Sequence, residues 1–480
     1  MAAETNLLQA IKPAEHAEED PREHLMFDPR PREEMNRMVM EAMTTTTRRY
    51  WIWLIALGLG VAVLLFGAWG NMILTGIGVA GVRRPIFWGV FIVTFVFWIG
   101  ISHAGTFVSA ILRVFKAEFR RPFTRAAELM TTFGLAAGAL YPLIHLGRVW
   151  VFYWMIPYPN ARWLWPNFRS PLVWDFLAIT TYLLSSTIYL YLPLVPDLAM
   201  ARDRTKGWRH TIYKLLALGW RGTEAEWYRL RKAINIFAFA IIPVMFSVHT
   251  IVSWDFAVGM VAGWHSTIFG PYFIVGAILS GVAAVVTILF VLRNTMKHFD
   301  YFIRVEHFDA LGKLLLVFSM AWAYFFFNEY LLSWYGGDAA VRQVLTLHAT
   351  GPAAWVWYTM LICNVAIPWL TLWNKTIRRT PWAMFIITLL INVGMYAERY
   401  TIIPLTLGHQ RSPFDWGVYN PQWTEISIAL GTLCLFMFLY LAASRLIPLV
   451  PVWEVQEGQM AHTLRKVGKA EVPSVTELEE

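Results

Sequence analysis

Residues 268–292 read IFGPYFIVGAILSGVAAVVTILFVL, twenty-five positions without one Asp, Glu, Lys, Arg or His. A helix rises about 1.5 Å per residue, so a run of this length crosses the roughly 30 Å hydrocarbon core of a bilayer. Nine further apolar runs of similar length lie on either side of it. The ten cover about 50–75, 86–114, 126–155, 172–195, 233–254, 268–292, 313–335, 352–373, 382–406 and 424–447. The expected fold is therefore all-α: a polytopic membrane protein of about ten transmembrane helices.

Composition agrees with that class. The 480 residues are 57% hydrophobic and only 15% charged, against roughly 25% charge in soluble domains. Twenty-five Trp and 32 Phe suit aromatic belts at two water interfaces. The net charge of +8 reads as a topology signal and implies no nucleic-acid partner. The two cysteines, Cys363 and Cys434, sit in apolar runs without metal-ligand spacing. The chain is expected to bind no metal, no iron–sulfur cluster and no haem of its own.

Twenty Lys and Arg fall in the loops on one side, including Arg120, Arg121, Arg209, Lys214, Arg304 and Arg378, whereas the opposite loops hold six: Arg83, Arg84, Arg162, Arg169, Arg342 and Arg411. The positive-inside rule makes the richer side cytoplasmic. An even number of spans then leaves both termini in the cytoplasm, as a polar arm over 1–49 and a hydrophilic tail over 452–480. Both read as partner-facing or disordered. In the longest inner connection, WRHTIYKLLALGWRG suits a helix lying at the membrane surface or an ordinary connector. The aromatic and Pro/Gly-rich outer loops, ARWLWPNFRSP, SWYGGDAAVRQVLTLHATGP and LGHQRSPFDWGVYNPQW, are expected to form a platform for a partner.

Ionisable residues inside or just under a bilayer are costly and usually functional. YPLIHLGRVW sets His145 and Arg148 one helical turn apart, PLVWDF opens the next span with Asp175, and HTIVSWDF ends the fifth with His249, Trp254 and Asp255. His145 and Asp175 are joined through one outer loop and are expected to face each other, able to accept protons from the two hydroxyls of a quinol. Asp255 is expected near the pocket mouth, with His249 deeper and His103 deeper still. The plainer readings are an interhelical strut for each His and a helix-terminal cap for each Asp. In the second half Glu329, Glu398 and Arg399 suit either a proton pathway or a structural ion pair. Because adjacent residues point about 100° apart, Glu398 and Arg399 are expected to find partners on other helices.

Two other classes fit less well. A b-type cytochrome needs paired axial His on facing helices, and His103, His145 and His249 supply one haem at most. A secondary transporter places its site at the midplane between related halves, whereas these residues gather at one face.

The order and spacing of ISHAGT, LIHLGRVW, PLVWDF, HTIVSWDF and AERY resemble the NrfD/PsrC family of quinone-reactive membrane subunits, and within it the ActC-type subunits of bacterial alternative complex III. The resemblance spans about Tyr50 to Pro451 and implies two four-helix bundles, about 86–254 and 268–406, flanked by the first and tenth helices. It implies a quinol pocket (menaquinol or similar) in the first bundle near the periplasmic face, formed by His145, Asp175 and Asp255 with Arg148 and Trp254. Electrons would pass to a periplasmic ActB-like iron–sulfur protein. An ActF-like paralogue and multihaem cytochrome c subunits would complete the complex in the bacterial inner membrane. His103, His249, Glu329, Glu398 and Arg399 would serve a proton pathway. The nearest alternatives are the ActF-like paralogue itself and the anchor of a polysulfide- or dimethyl-sulfoxide-type molybdoenzyme.

Overall fold

A computed structural model of the protein describes residues 30–156, 168–169, 171–409, 411–461, 464–467 and 470–473. The acidic stretch of the N-terminal arm, most of ARWLWPNFRSP and the final Glu-Leu-Glu-Glu lie outside the described residues. Ten helices are long and apolar enough to cross a membrane: Arg48–Thr75, Val90–Val114, Glu118–His145, Pro171–Arg204, Glu224–Ala257, Phe269–Thr295, Val305–Tyr335, Ala354–Thr371, Pro381–Leu405 and Trp423–Leu446. In chain order these are spans one to ten. The chain is an all-helical, multi-pass membrane protein, apart from a small antiparallel hairpin of Leu464–Val467 with Ala470–Pro473 near its end.

Several helices run past their apolar runs because polar residues continue or cap them. Span five begins at Glu224, where the Thr223 hydroxyl accepts the Glu226 N–H and the Glu226 carboxylate accepts the Thr223 N–H at 2.9 Å. This capping box satisfies two otherwise orphaned donors. Within SWYGGDAAVRQVLTLHATGP, Asp338 caps a short helix, Ala339–Thr350, so that loop is largely helical.

Spans two to five pack on one another, as do spans six to nine. Span six also packs closely on span two, so the two groups share one continuous core. Span ten closes one side and carries span one, most of whose surface is left exposed. Where span two meets span three, a Cβ on Gly105 would stand 2.2 Å from the Ala127 carbonyl and 1.8 Å from the Thr131 hydroxyl. Only glycine allows that approach, which explains the residue within ISHAGT.

The ends of the helices define two faces. The tail face carries Arg48 and Leu446, and the far face carries Thr75 and Trp423. At the tail face parts of both arms, expected to be partner-facing or disordered, fold as helices with buried residues. Arg32–Thr44 is a helix that buries Met35, Met38, Val39 and Met43, and Val452–Ala461 is a helix that buries Val452, Trp453, Glu454 and Val455. Glu454 draws the second helix in. It meets Arg120 at 3.1 Å and Arg113 at 3.5 Å, while Arg121 bonds its backbone carbonyl at 2.8 Å. Burial alone would raise the Glu454 carboxyl, but Arg113, Arg120, Arg121 and Arg125 outweigh it and hold it at about 2.

Candidate functional site

Spans four and five each present a Trp-Asp-Phe triplet at the far face, residues 174–176 and 254–256. Asp175 is the fifth residue of span four and Asp255 lies two residues before the end of span five, so both stand at one level. Close packing of the two helices brings the carboxyls of Asp175 and Asp255 into direct interaction. The Trp174 and Trp254 rings meet edge to face with centroids 6.0 Å apart. Trp174 Nε1 donates to the Phe168 carbonyl at 2.6 Å, tying the start of span four to the preceding loop. Asp175 is 5% exposed, and one oxygen of each carboxyl, Asp175 Oδ1 and Asp255 Oδ1, is buried with no hydrogen-bond partner among the described residues.

His145 ends span three at the same face. Gly147 follows in the left-handed region at φ +67°, with its N–H on the Ile144 carbonyl at 3.2 Å. Glycine takes this conformation without a Cβ penalty and stops the helix there. The half-buried His145 ring therefore sits at a helix end, its buried Nδ1 without a partner among the described residues. His145 and Asp175, expected to face each other, stand at the same face. Among the described residues no hydrogen bond or ion pair joins them, and Asp175 turns to Asp255 instead. Arg148 is exposed just beyond the turn, and Trp254 is 39% exposed at the outer edge.

His249 lies six residues before Asp255, about 9 Å of helix rise below it, and is fully buried. Its ring meets that of His103 with centroids 4.6 Å apart. His103 Nδ1 lies 2.6 Å from the Ile99 carbonyl and Nε2 lies 3.0 Å from the Met245 carbonyl. A neutral imidazole has one N–H, so it can donate to only one of these carbonyls at a time.

On the other side of His249, Phe273 of span six separates it from Arg399, whose guanidinium sits 4.3 Å from that ring. Arg399 Nη1 lies 3.1 Å from Glu398 Oε2, so the two neighbours pair with each other in addition to the expected contacts with other helices. Adjacent Cα–Cβ vectors diverge, but two long side chains can still curl together. Glu398 also accepts the Trp322 indole N–H at 2.8 Å. Glu329 stands apart from this cluster, held by Ser266 at 2.5 Å and Ser333 at 3.1 Å.

Sequence reasoning treats Arg125 only as topology charge and misses the polar interior below His103. Arg125 is fully buried and pairs with Asp197 at 3.0 Å. Buried Glu128 lies 3.8 Å from its Nε. Above Glu128 runs a narrow polar seam that includes Thr106, Ser109, Thr131, Ser186 and Tyr189. Thr106 and Tyr182 share a hydrogen bond at 2.7 Å, and the Tyr182 ring lies 5.1 Å from His103. The i,i+3 spacing of Arg125 and Glu128 inside an otherwise apolar helix is the signal that could have found it. Among the described residues no three His, Cys, Asp or Glu side chains gather in a metal-holding arrangement.

Comparison with known proteins identifies the family of the chain. Residues 78–407 match the family described as Polysulphide reductase, NrfD. The chain is 25% identical over 429 residues to a dimethyl sulfoxide reductase membrane subunit of Halobacterium salinarum, covering 84% of this chain and 92% of the relative. It is 24% identical to a selenate reductase subunit of Mesobacillus selenatarsenatis, over 77% of this chain and 87% of that one. A Hdr-like menaquinol oxidoreductase integral membrane subunit of Archaeoglobus fulgidus is also 24% identical, over 82% and 93%. These matches do not single out the alternative complex III branch that the motifs resemble. With the match running from the loop before span two to the end of span nine, the chain belongs to the NrfD family of oxidoreductase membrane subunits.

Proposed function

We propose that the chain is the quinol-reactive membrane subunit of a multisubunit oxidoreductase, with its substrate between Asp175, Asp255 and His145 at the far face. One observation carries this reading. Three consecutive spans bring three buried polar atoms, unpartnered among the described residues, to one end of a helix bundle: His145 Nδ1, Asp175 Oδ1 and Asp255 Oδ1. Buried polar groups are normally satisfied, so such a set calls for a ligand with matching groups. A quinol carries two hydroxyl donors on an aromatic ring. The carboxyl pair and the imidazole supply acceptors, and Trp174 and Trp254 supply an aromatic wall.

Oxidation of a quinol to a quinone releases two electrons and two protons. In this reading the Asp175–Asp255 pair takes one hydroxyl proton and His145 takes the other. The electrons leave for an iron–sulfur cluster in a partner on the far face, which the Lys and Arg distribution makes the periplasmic side. His103, His249 and the seam down to Glu128 form the better candidate for a proton path, because they follow one another within a single bundle. Glu398 and Arg399 read better as a structural pair.

The named relatives favour the anchor of a molybdoenzyme-type reductase or menaquinol oxidoreductase. The alternative complex III reading rests on the five motifs and is distinguished by what co-purifies: multihaem cytochrome c and an ActF-like paralogue, or a molybdenum subunit. The reading is tested by quinol-dependent reduction of the redox centres of the intact complex in Asp175→Asn and His145→Ala variants. Loss by about a hundredfold or more with assembly retained is expected, and normal reduction in both overturns it.

A further inference from the structure

On the tail face most buried or half-buried cations have a carboxylate partner. Arg113 and Arg120 share Glu454, Arg125 has Asp197 and Arg378 has Asp309. Arg209 and Arg445 differ. Arg209 lies on the surface helix Trp208–Leu216, and Arg445 ends span ten. The two guanidinium groups are within electrostatic reach of each other. Arg209 Nη1 and Arg445 Nε are buried with no hydrogen-bond partner among the described residues.

The surrounding contacts hold both cations in place. The Tyr213 hydroxyl, which Arg209 contacts, donates to the Leu446 carbonyl at 2.9 Å. Arg445 Nη1 donates to the Ala42 carbonyl at the end of the N-terminal helix, and its guanidinium lies 5.0 Å from the Tyr50 ring. Two like charges held within electrostatic reach of each other, with donors unspent, repel each other unless an anion joins them. The exposed Arg48 and Arg49 stand beside Tyr50 and add to the positive field.

The setting identifies the anion. Trp51 and Trp53, both exposed, mark the interfacial level on span one, and Ile212, Leu215 and Leu218 present an exposed apolar edge on or just after the surface helix. Guanidinium forks match phosphate oxygens, and this pair sits where headgroup phosphates sit, next to surface that acyl chains can cover. We infer that Arg209 and Arg445 bind the phosphate of an anionic phospholipid, which bridges the surface helix to the junction of spans one and ten.

The test uses the full-length chain purified in mild detergent and stripped of lipid. Dioleoyl phosphatidylglycerol, dioleoyl phosphatidylcholine and inorganic phosphate are added separately, with thermal midpoint and retained lipid by native mass spectrometry as readouts. Phosphatidylglycerol alone should raise the midpoint. Its affinity should fall about fivefold in Arg209→Gln or Arg445→Gln and about thirtyfold in the double variant, at about 1 kcal/mol per interfacial cation. Arg229→Gln, an exposed cation at the start of span five, should bind like wild type. If the double variant does not fold, Arg209→Lys with Arg445→Lys keeps the charge and should retain most of the affinity. Equal binding of phosphatidylcholine, or an unchanged affinity in the folded double variant, overturns the site. Stabilisation by inorganic phosphate equal to that by lipid overturns the lipid and leaves a free-phosphate site.

Discussion

Asp175 and Asp255 meet carboxyl to carboxyl across the seam between two neighbouring spans, beneath a pair of indole rings 6.0 Å apart. Two acids in direct contact can hold a proton between them, one donating to the other, which neither can do alone. The pair therefore acts as one proton acceptor, and either half should be needed. Asp175→Asn and Asp255→Asn are each expected to lower quinol-dependent turnover by about 10²- to 10⁴-fold. The double variant should be little worse than either single one, as steady-state assays on the assembled complex would show.

Glu398 and Arg399 form a buried ion pair, so removing one partner leaves the other uncompensated. Glu398→Gln should destabilise the protein by about 3–5 kcal/mol. The double variant Glu398→Gln/Arg399→Gln should recover part of that loss. Thermal unfolding of the four proteins of this cycle measures the coupling. A folded double variant with unimpaired quinol oxidation would confirm a structural role for the pair, and a turnover defect at full stability would restore it to the proton path.

Glu454 links the C-terminal helix to the arginines of spans two and three. Its folded carboxyl titrates at about 2, below its ordinary value of 4.5, so its stabilising contribution is present above about pH 4.5. That contribution is lost progressively as pH falls towards 2. Hydrogen exchange over residues 452–458 should accelerate in that window. Glu454→Gln should produce the same exposure at neutral pH, at a cost of about 3–5 kcal/mol.

Much of this architecture is readable in the sequence. Uninterrupted apolar runs such as 268–292 admit few alternatives to a span, and counting spans places His145, Asp175 and Asp255 at one face. What topology does not carry is which side chains touch at that face, where Asp175 interacts with Asp255. Glu398 and Arg399 pair although their Cβ directions point apart, because the reach of long side chains decides the contact. Glu454 is hidden for a different reason: WEVQEGQM is hydrophilic by composition, and its burial depends on arginines more than 300 positions earlier that read only as topology charge.

Gly105 lets spans two and three touch, and a methyl group there collides with backbone as well as with Thr131. Gly105→Ala should cost about 1–3 kcal/mol through overpacking. It should also shift His103, two residues away, within the same interface. A lower thermal midpoint in detergent, with Gly134→Ala as a milder control whose nearest neighbours are 3.5 Å away, would show this.

A quinone ring bound at the far end of spans three to five is tested most directly by photocrosslinking a photoreactive quinone to the purified complex and mapping the labelled peptides. Adducts are predicted within 141–150, 171–176 or 250–257, displaced by excess quinol and lost in Asp175→Asn. Labelling confined to spans six to nine, or undiminished by quinol, would contradict a site between Asp175, Asp255 and His145.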